Sequence, residues 1–326
     1  MKALLCTHFG GPDDLEYADI PDPAAGQGEV VVAVHAAALN FFDTLIIAGK
    51  YQFKPPFPFS PASEFAGVVE KVGAGVTGLA AGDRVLGYGG FGAAREKIAL
   101  SAQRVVKIPD TLDYDRAAGI TVIYGTTLHA LKDRAHLKSG ETLAVLGAGG
   151  GVGLAAVELG KIAGATVIAA ASSDEKLAAA REHGADVSIN YGRVELRDAL
   201  KEATGGRGVD VIYDPVGGRF AESALRSLAW RGRLLVVGFA DGQIPQLPAN
   251  LLLIKGTSAV GVFWGEFARR EPRENARMLG ELFAWLAEGK LKPHVSRAYP
   301  LRDTPQALEA LLERRAVGKL VINPWS

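Results

Sequence analysis

The segment Gly147-Ala148-Gly149-Gly150-Gly151-Val152-Gly153 most constrains what this chain can fold into. It follows the apolar run Leu143-Ala144-Val145-Leu146 and opens a helical stretch at 154–163. Glycines at a strand-to-helix turn permit positive φ, admit the backbone close to an anion, and let the helix pack tightly on the strand. The helix start adds unpaired N–H groups and positive partial charge, so the segment predicts the pyrophosphate turn of a dinucleotide site. The spacing is Gly147-x-x-Gly150-x-x-Gly153 and not the strict G-x-G-x-x-G. An ordinary strand-to-helix loop is the competing interpretation.

The next strand, at 166–170, should end beside the adenosine ribose. A site for NAD places Asp or Glu there, roughly 20 residues past the glycines, to hold the 2′-hydroxyl. This chain has Ala171-Ser172-Ser173 instead. Hydroxyls bond a 2′-phosphate without repelling it, and Lys176 in the first turn of the following helix supplies a countercharge. NADPH is therefore the expected cofactor. Ser173 or Asp174 also reads as the N-cap of a helix at 175–183, with Lys176 then solvated on its surface, and the two readings are compatible.

At 326 residues, two domains are expected. Net charge is zero and no dense run of Lys and Arg occurs, so nucleic acid is not the expected partner. Cys6 is the only cysteine, which excludes an intramolecular disulfide and any Cys-rich zinc site. Neither a signal peptide nor a membrane-length apolar span is recognisable, and a cytosolic enzyme is the expectation.

Short β-type runs at 3–7, 29–36, 66–72, 84–88 and 96–100, separated by Gly and Pro, predict a barrel-like β domain. After Asp110 helices alternate with apolar strands at 143–146, 166–170, 187–190, 209–213 and 233–237. The helices between them fall at 175–183, 194–204 and 220–230, and such alternation predicts a doubly wound parallel sheet. The tail carries a helix at 274–288, a segment at 291–299, a helix at 304–315 and a strand at 319–323. Because the nucleotide sheet is complete without it, the tail is assigned to the first domain, giving 1–117 plus 265–326 and 118–264. A β-branched strand at 257–262 near the end of the sheet would leave an edge open to two-fold pairing, which points to a homodimer.

With these residues in view, the chain resembles the medium-chain dehydrogenase/reductase superfamily, and within it the zinc-free, zeta-crystallin-like quinone oxidoreductases. The resemblance spans essentially the whole length. It is carried by Asn40-Phe41-Phe42-Asp43-Thr44, Gly49-Lys50-Tyr51, the run from Phe57 to Val69, and Gly82-Asp83-Arg84-Val85. Gly184-Ala185-Asp186, the segment from Val209 to Gly218 and that from Gly232 to Phe239 continue it. One departure is Ala62, where many relatives have Gly. The resemblance implies a GroES-like β-barrel catalytic domain beside a Rossmann domain. It also implies that Gly147, Gly150, Gly151, Val152 and Gly153 lie on the pyrophosphate, Ser172 and Lys176 at the 2′-phosphate, and Tyr191 at the adenosine end. Thr127, Phe239 and Val262-Phe263-Trp264 would flank the nicotinamide.

Zinc-dependent relatives hold a catalytic metal through Cys, a His-Glu pair and a further ligand. Here the His-Glu position reads Ser63-Glu64, the Cys position falls within 40–43, and the six histidines are scattered. A set of three or four N/S ligands is not expected, so no metal is assigned. Without a Lewis acid, the expected acceptor is already electrophilic by conjugation: a quinone, with an enone or 2-enoyl thioester as the alternative. Asn40 and Tyr51 are expected to face the substrate, Asn40 as donor to a developing oxyanion. Asp43 is grouped with them, although a loop anchor is its simpler role. A cofactor-binding structural or RNA-binding protein without turnover is the remaining alternative.

Overall fold

The computed structural model describes residues 1–326 and divides them into two compact units, 1–122 with 293–326, and 123–292. In the first, β1 (Lys2–Leu5) pairs with β2 (Glu16–Asp19), and the long β3 (Glu29–Leu39) leads into helix α1 (Phe41–Ile47). Strands β4 (Glu64–Val72), β5 (Arg84–Tyr88), β6 (Lys97–Ser101) and β7 (Val105–Lys107) follow, then helix α2 (Tyr114–Ala118) and helix α3 (Ile120–Leu128), which belongs to the second unit from Ile123 on. Alternate residues of β3, Val30, Val32 and Val34, join a core with Phe59, Phe65 and Val85, while Val31, Ala36 and Ala38 are buried too, so most of this strand is covered on both faces.

The second unit holds strands β8 (Thr142–Leu146), β9 (Thr166–Ala171), β10 (Val187–Asn190), β11 (Val209–Asp214), β12 (Leu228–Val236) and β13 (Ser258–Gly261). All pair in parallel, in the order β10-β9-β8-β11-β12-β13. Parallel strands are covered on both faces and so read as unbroken apolar runs, and every residue of Leu143 to Leu146 is at most 1% exposed. Helices α4 (Gly151–Ile162), α5 (Asp174–Glu182), α6 (Leu196–Ala203), α7 (Phe220–Ser227), α8 (Ala249–Lys255), α9 (Trp264–Arg270) and α10 (Pro272–Ala287) belong to this unit. The chain then returns to the first unit, where β14 (Val295–Pro300), helix α11 (Thr304–Leu312) and β15 (Lys319–Asn323) complete a sheet ordered β14-β15-β3-β4-β5-β7, with β6 also on β3.

Two expectations need correction. The tail joins the first unit only from Pro293, not from 265. Helices α9 and α10 stay with the nucleotide sheet because Phe267 stacks on His129 at 4.2 Å, the Trp264 indole packs on Gly125, and Glu281 pairs with Lys132 at 2.6 Å. The helix expected at 220–230 stops at Ser227. β12 already begins at Leu228, where Gly208 brings the start of β11 so close that a Cβ would meet the Leu228–Ala229 backbone.

Candidate functional site

The order of the parallel sheet reverses between β8 and β11, and in such sheets ligands bind beyond the carboxyl ends of the strands at that point. The glycine turn lies there. Gly147 has φ +60°, and a Cβ on it would sit 3.0 Å from Val216 in the turn after β11. A Cβ on Gly153 would lie 2.3 Å from the Gly147 carbonyl oxygen, so only glycine lets the first turn of α4 close on the strand end. Gly150 caps α4 with no side chain over the leading N–H groups, which leaves Gly151, Val152 and Gly153 as backbone donors for an anion. This cradle fits the pyrophosphate of a dinucleotide.

At the end of β9, Ser172 is exposed while Ser173 caps α5 by accepting from the Lys176 amide at 3.4 Å. The capping role is therefore present. The stem of Lys176 also lies over the glycine turn, because a Cβ on Gly149 would come within 2.5 Å of Lys176 Cβ. After β10, Gly192 approaches the Ser172 carbonyl, and Tyr191 packs on Phe220 at 4.6 Å. Arg193, which the sequence reading did not single out, pairs with Asp174 at 2.9 Å, and Asn190 donates to the same carboxylate at 2.7 Å. The acid that directly follows Ser173 is thus paired with a cation, and Ser172, Lys176, Tyr191 and Arg193 lie around the ends of β9 and β10.

The remaining residues of this unit are more buried than free loop contacts would be. Thr127 Oγ1 is held by the Ile123 carbonyl at 2.7 Å and the Tyr213 hydroxyl at 3.0 Å, next to Val152 of the glycine helix. Phe239 covers Gly217 in the turn after β11, a turn closed by Asp214, which accepts from the Val216 and Gly217 amides at 2.8 Å each. Of Val262-Phe263-Trp264, only Phe263 is exposed, and Trp264 Nε1 donates to Asn275 at 2.9 Å.

In the first unit, Asn40 is the N-cap of α1 and Asp43 closes the capping box, its carboxylate accepting from the Asn40 amide at 2.7 Å. Burial pushes the Asp43 carboxyl up to about 7, against the pull of the Asn40 N–H and the Lys319 cation. One cation serves two buried carboxylates here, and the Lys319 ammonium sits directly on the other, Glu64, at 2.9 Å. Tyr51 stacks on Phe42 at 5.4 Å, and burial raises its hydroxyl pKa. Ala62, before the Ser63-Glu64 pair, has φ +64°, in the left-handed region that favours glycine.

The Asn40 side chain does not project as a free donor. Its Nδ2 donates to Glu64 Oε1 at 2.9 Å and lies 3.4 Å from Ser63 Oγ, while its Oδ1 accepts from Lys319 Nζ at 2.8 Å. Lys319 is the member of this cluster that sequence reasoning missed. A lysine opening an apolar strand reads as a solvated end, and no local pattern announces an acid buried in another strand.

A parallel nucleotide sheet with a glycine turn at its switch point, in one chain with an antiparallel domain threaded by both termini, defines a two-domain dehydrogenase or reductase. Residues 26–110 match the family model "Alcohol dehydrogenase GroES-like domain" and residues 151–281 match "Zinc-binding dehydrogenase". The chain is 40% identical to the quinone oxidoreductase-like protein 2 homolog of Nematostella vectensis, over 99% of this chain and 88% of that one. It is 35% identical to the quinone oxidoreductase of Pseudomonas aeruginosa, over 99% of each. The crystal structure of Escherichia coli quinone oxidoreductase complexed with NADPH superposes with a TM-score of 0.91 at 30% identity, over 99% of this chain and 100% of that one. The chain belongs to the quinone oxidoreductases of the medium-chain dehydrogenase/reductase superfamily. Although one family model is described by zinc, no group of three or more His, Cys, Asp or Glu side chains here is arranged to hold a metal ion.

Proposed function

We propose that the protein is an NADPH-dependent quinone oxidoreductase that works without a metal. The observation that carries the cofactor is the end of β9: Ser172 is exposed at the strand end, Asp174 is paired with Arg193, and the Lys176 stem lies over the glycine turn. A hydroxyl and a cation accommodate a 2′-phosphate, which a free carboxylate would repel. The Escherichia coli relative, solved with NADPH, supports the same assignment. In this reading Gly147, Gly150, Gly151, Val152 and Gly153 hold the pyrophosphate, Ser172 and Lys176 the 2′-phosphate, and Tyr191 the adenosine end. Thr127, Phe239, Val262, Phe263 and Trp264 flank the nicotinamide, which when bound supplies hydride or electrons.

Asn40 and Tyr51 serve the substrate, while Asp43 anchors the turn that presents Asn40. A quinone disperses the incoming charge by aromatisation and needs only position and a neutral donor. NADPH oxidation followed with naphthoquinone, 2-cyclohexenone, a 2-enoyl thioester and ethanol tests the reading. Brisk quinone turnover is expected and none with ethanol. Preference for the enoyl thioester would make the chain an enoyl reductase, and no turnover at all would favour a binding role. Lys176→Ala should weaken NADPH binding about tenfold or more, since a charge-assisted contact is worth roughly 1.5–3 kcal/mol, and leave NADH nearly unchanged. An equal loss for both cofactors would make Lys176 merely structural.

We further infer a homodimer formed through β13, the last strand of the parallel sheet, with Trp230, Leu253 and Ile254 exposed on nearby elements. We assign the enzyme to the cytoplasm, where its single thiol, Cys6, stays reduced. No helix is long and apolar enough to cross a membrane.

A further inference from the structure

The side chains around Lys319 form a closed hydrogen-bond set. Its ammonium has three protons and three acceptors: Leu39 O at 2.9 Å, Asn40 Oδ1 at 2.8 Å and Glu64 Oε1 at 2.9 Å. Glu64 is fully buried and Lys319 4% exposed, and the second Glu64 oxygen accepts from the Val122 amide at 2.8 Å. Gly119 makes room for the lysine stem, since a Cβ there would press on it at 3.1 Å. Burying such a pair costs several kcal/mol of desolvation, and an apolar pair of like volume is often at least as stable. Stability alone therefore gives no reason for a lysine at this position.

The set does determine the orientation of one carboxamide. Flipping Asn40 would turn its NH2 against the lysine ammonium and its oxygen against the Glu64 carboxylate, setting donor against donor and acceptor against acceptor. In the observed orientation one Nδ2 hydrogen goes to Glu64. The other donates to Ser63 Oγ at 3.4 Å, the longest bond of the set and so the one that a substrate oxygen would displace at least cost. A cation on Oδ1 also polarises the amide and strengthens its N–H as a donor.

We propose that Lys319, acting with Glu64, is a positioning residue that holds the Asn40 carboxamide in one orientation, so that its second N–H exchanges the long Ser63 bond for the substrate oxygen. The proposal rests on the reading above in which Asn40 serves the substrate. Lys319 itself touches no reacting atom and acts only through Asn40.

The test is a double-mutant cycle in the full chain with Lys319→Met, Asn40→Ala and the pair, with Lys319→Arg as the conservative replacement. Lys319→Met and Asn40→Ala should each lower kcat with 2-cyclohexenone or naphthoquinone about tenfold, with NADPH affinity within about twofold of the parent. Their combination should fall no lower than Asn40→Ala alone, and Lys319→Arg should recover most of the loss. Multiplicative losses in the double variant, or an undiminished kcat in folded Lys319→Met, would overturn the proposal. Should Lys319→Met fail to fold, the charge-neutral Glu64→Gln/Lys319→Met variant takes its place in the same cycle. If the parent turns over none of these acceptors, it is the proposed function that fails. The Asn40 side-chain amide resonances then decide on the orientation: they should shift and exchange faster in Lys319→Met but not in Lys319→Arg, and unchanged resonances would refute it.

Discussion

The glycine turn after β8 and the Asn40–Glu64–Lys319 cluster are built in opposite ways. The turn is made of backbone from seven consecutive residues, 147–153, and works because side chains are missing. The cluster is made of side chains from the N-cap of α1, the start of β4 and the start of β15, separated by as many as 279 positions along the chain. A backbone site tolerates change around it but no added atom within it. A buried side-chain cluster fails when any one charge loses its partner.

The largest effect should fall on the cluster. Lys319→Met alone leaves the Glu64 carboxylate buried without its cation, a loss of about 3–5 kcal/mol in urea unfolding. Glu64→Gln/Lys319→Met removes both charges and should regain most of it. A double variant as unstable as the single one would show that packing, and not charge pairing, governs the cluster.

The corresponding change in the turn is Gly153→Ala. Its Cβ would lie 2.3 Å from the Gly147 oxygen, so the helix start must move, at about 1–3 kcal/mol of stability. The displaced N–H groups should weaken NADPH and NADH alike, in contrast to Lys176→Ala. Unchanged affinity for both cofactors would remove the turn from the pyrophosphate site.

The most diagnostic effect, spread over about three pH units, is the pH dependence of Asp43. Its folded carboxyl titrates at about 7, above the ordinary carboxylate range, because burial outweighs the Lys319 cation and the Asn40 N–H, with Glu64 adding to the rise. Tyr51 and Tyr88 are the other titratable groups that sense its charge. The folded state then binds the proton more tightly than the unfolded one, so Asp43 destabilises progressively as pH rises from about 4 towards 7. The slope is at most about 1.4 kcal/mol per pH unit. Asp43→Asn keeps an acceptor for the Asn40 amide and should flatten this part of the stability profile. An identical slope in parent and variant would place the titration elsewhere.

Much of the molecule is legible in its sequence. The parallel strands announced themselves because burial on both faces demands unbroken apolar runs such as Leu143 to Leu146, and Gly147 and Gly153 hold positions that a larger residue would strain. Ser172 and Lys176 could be located by counting from those glycines. The end of α7 and the allegiance of α9 and α10 were not legible, since helix pattern gives no hint of the partner an amphipathic face will choose.

What the sequence by itself determined was therefore local: the elements, the glycine cradle and the missing acid at the end of β9. Tertiary structure alone decided that Arg193 neutralises Asp174 and that Lys319 returns from the far end of the chain to meet Glu64 and Asn40. The physical reason is that backbone conformation is dictated by neighbours in the chain, whereas the state of a buried charge is dictated by whichever charges folding brings within about 4–6 Å of it.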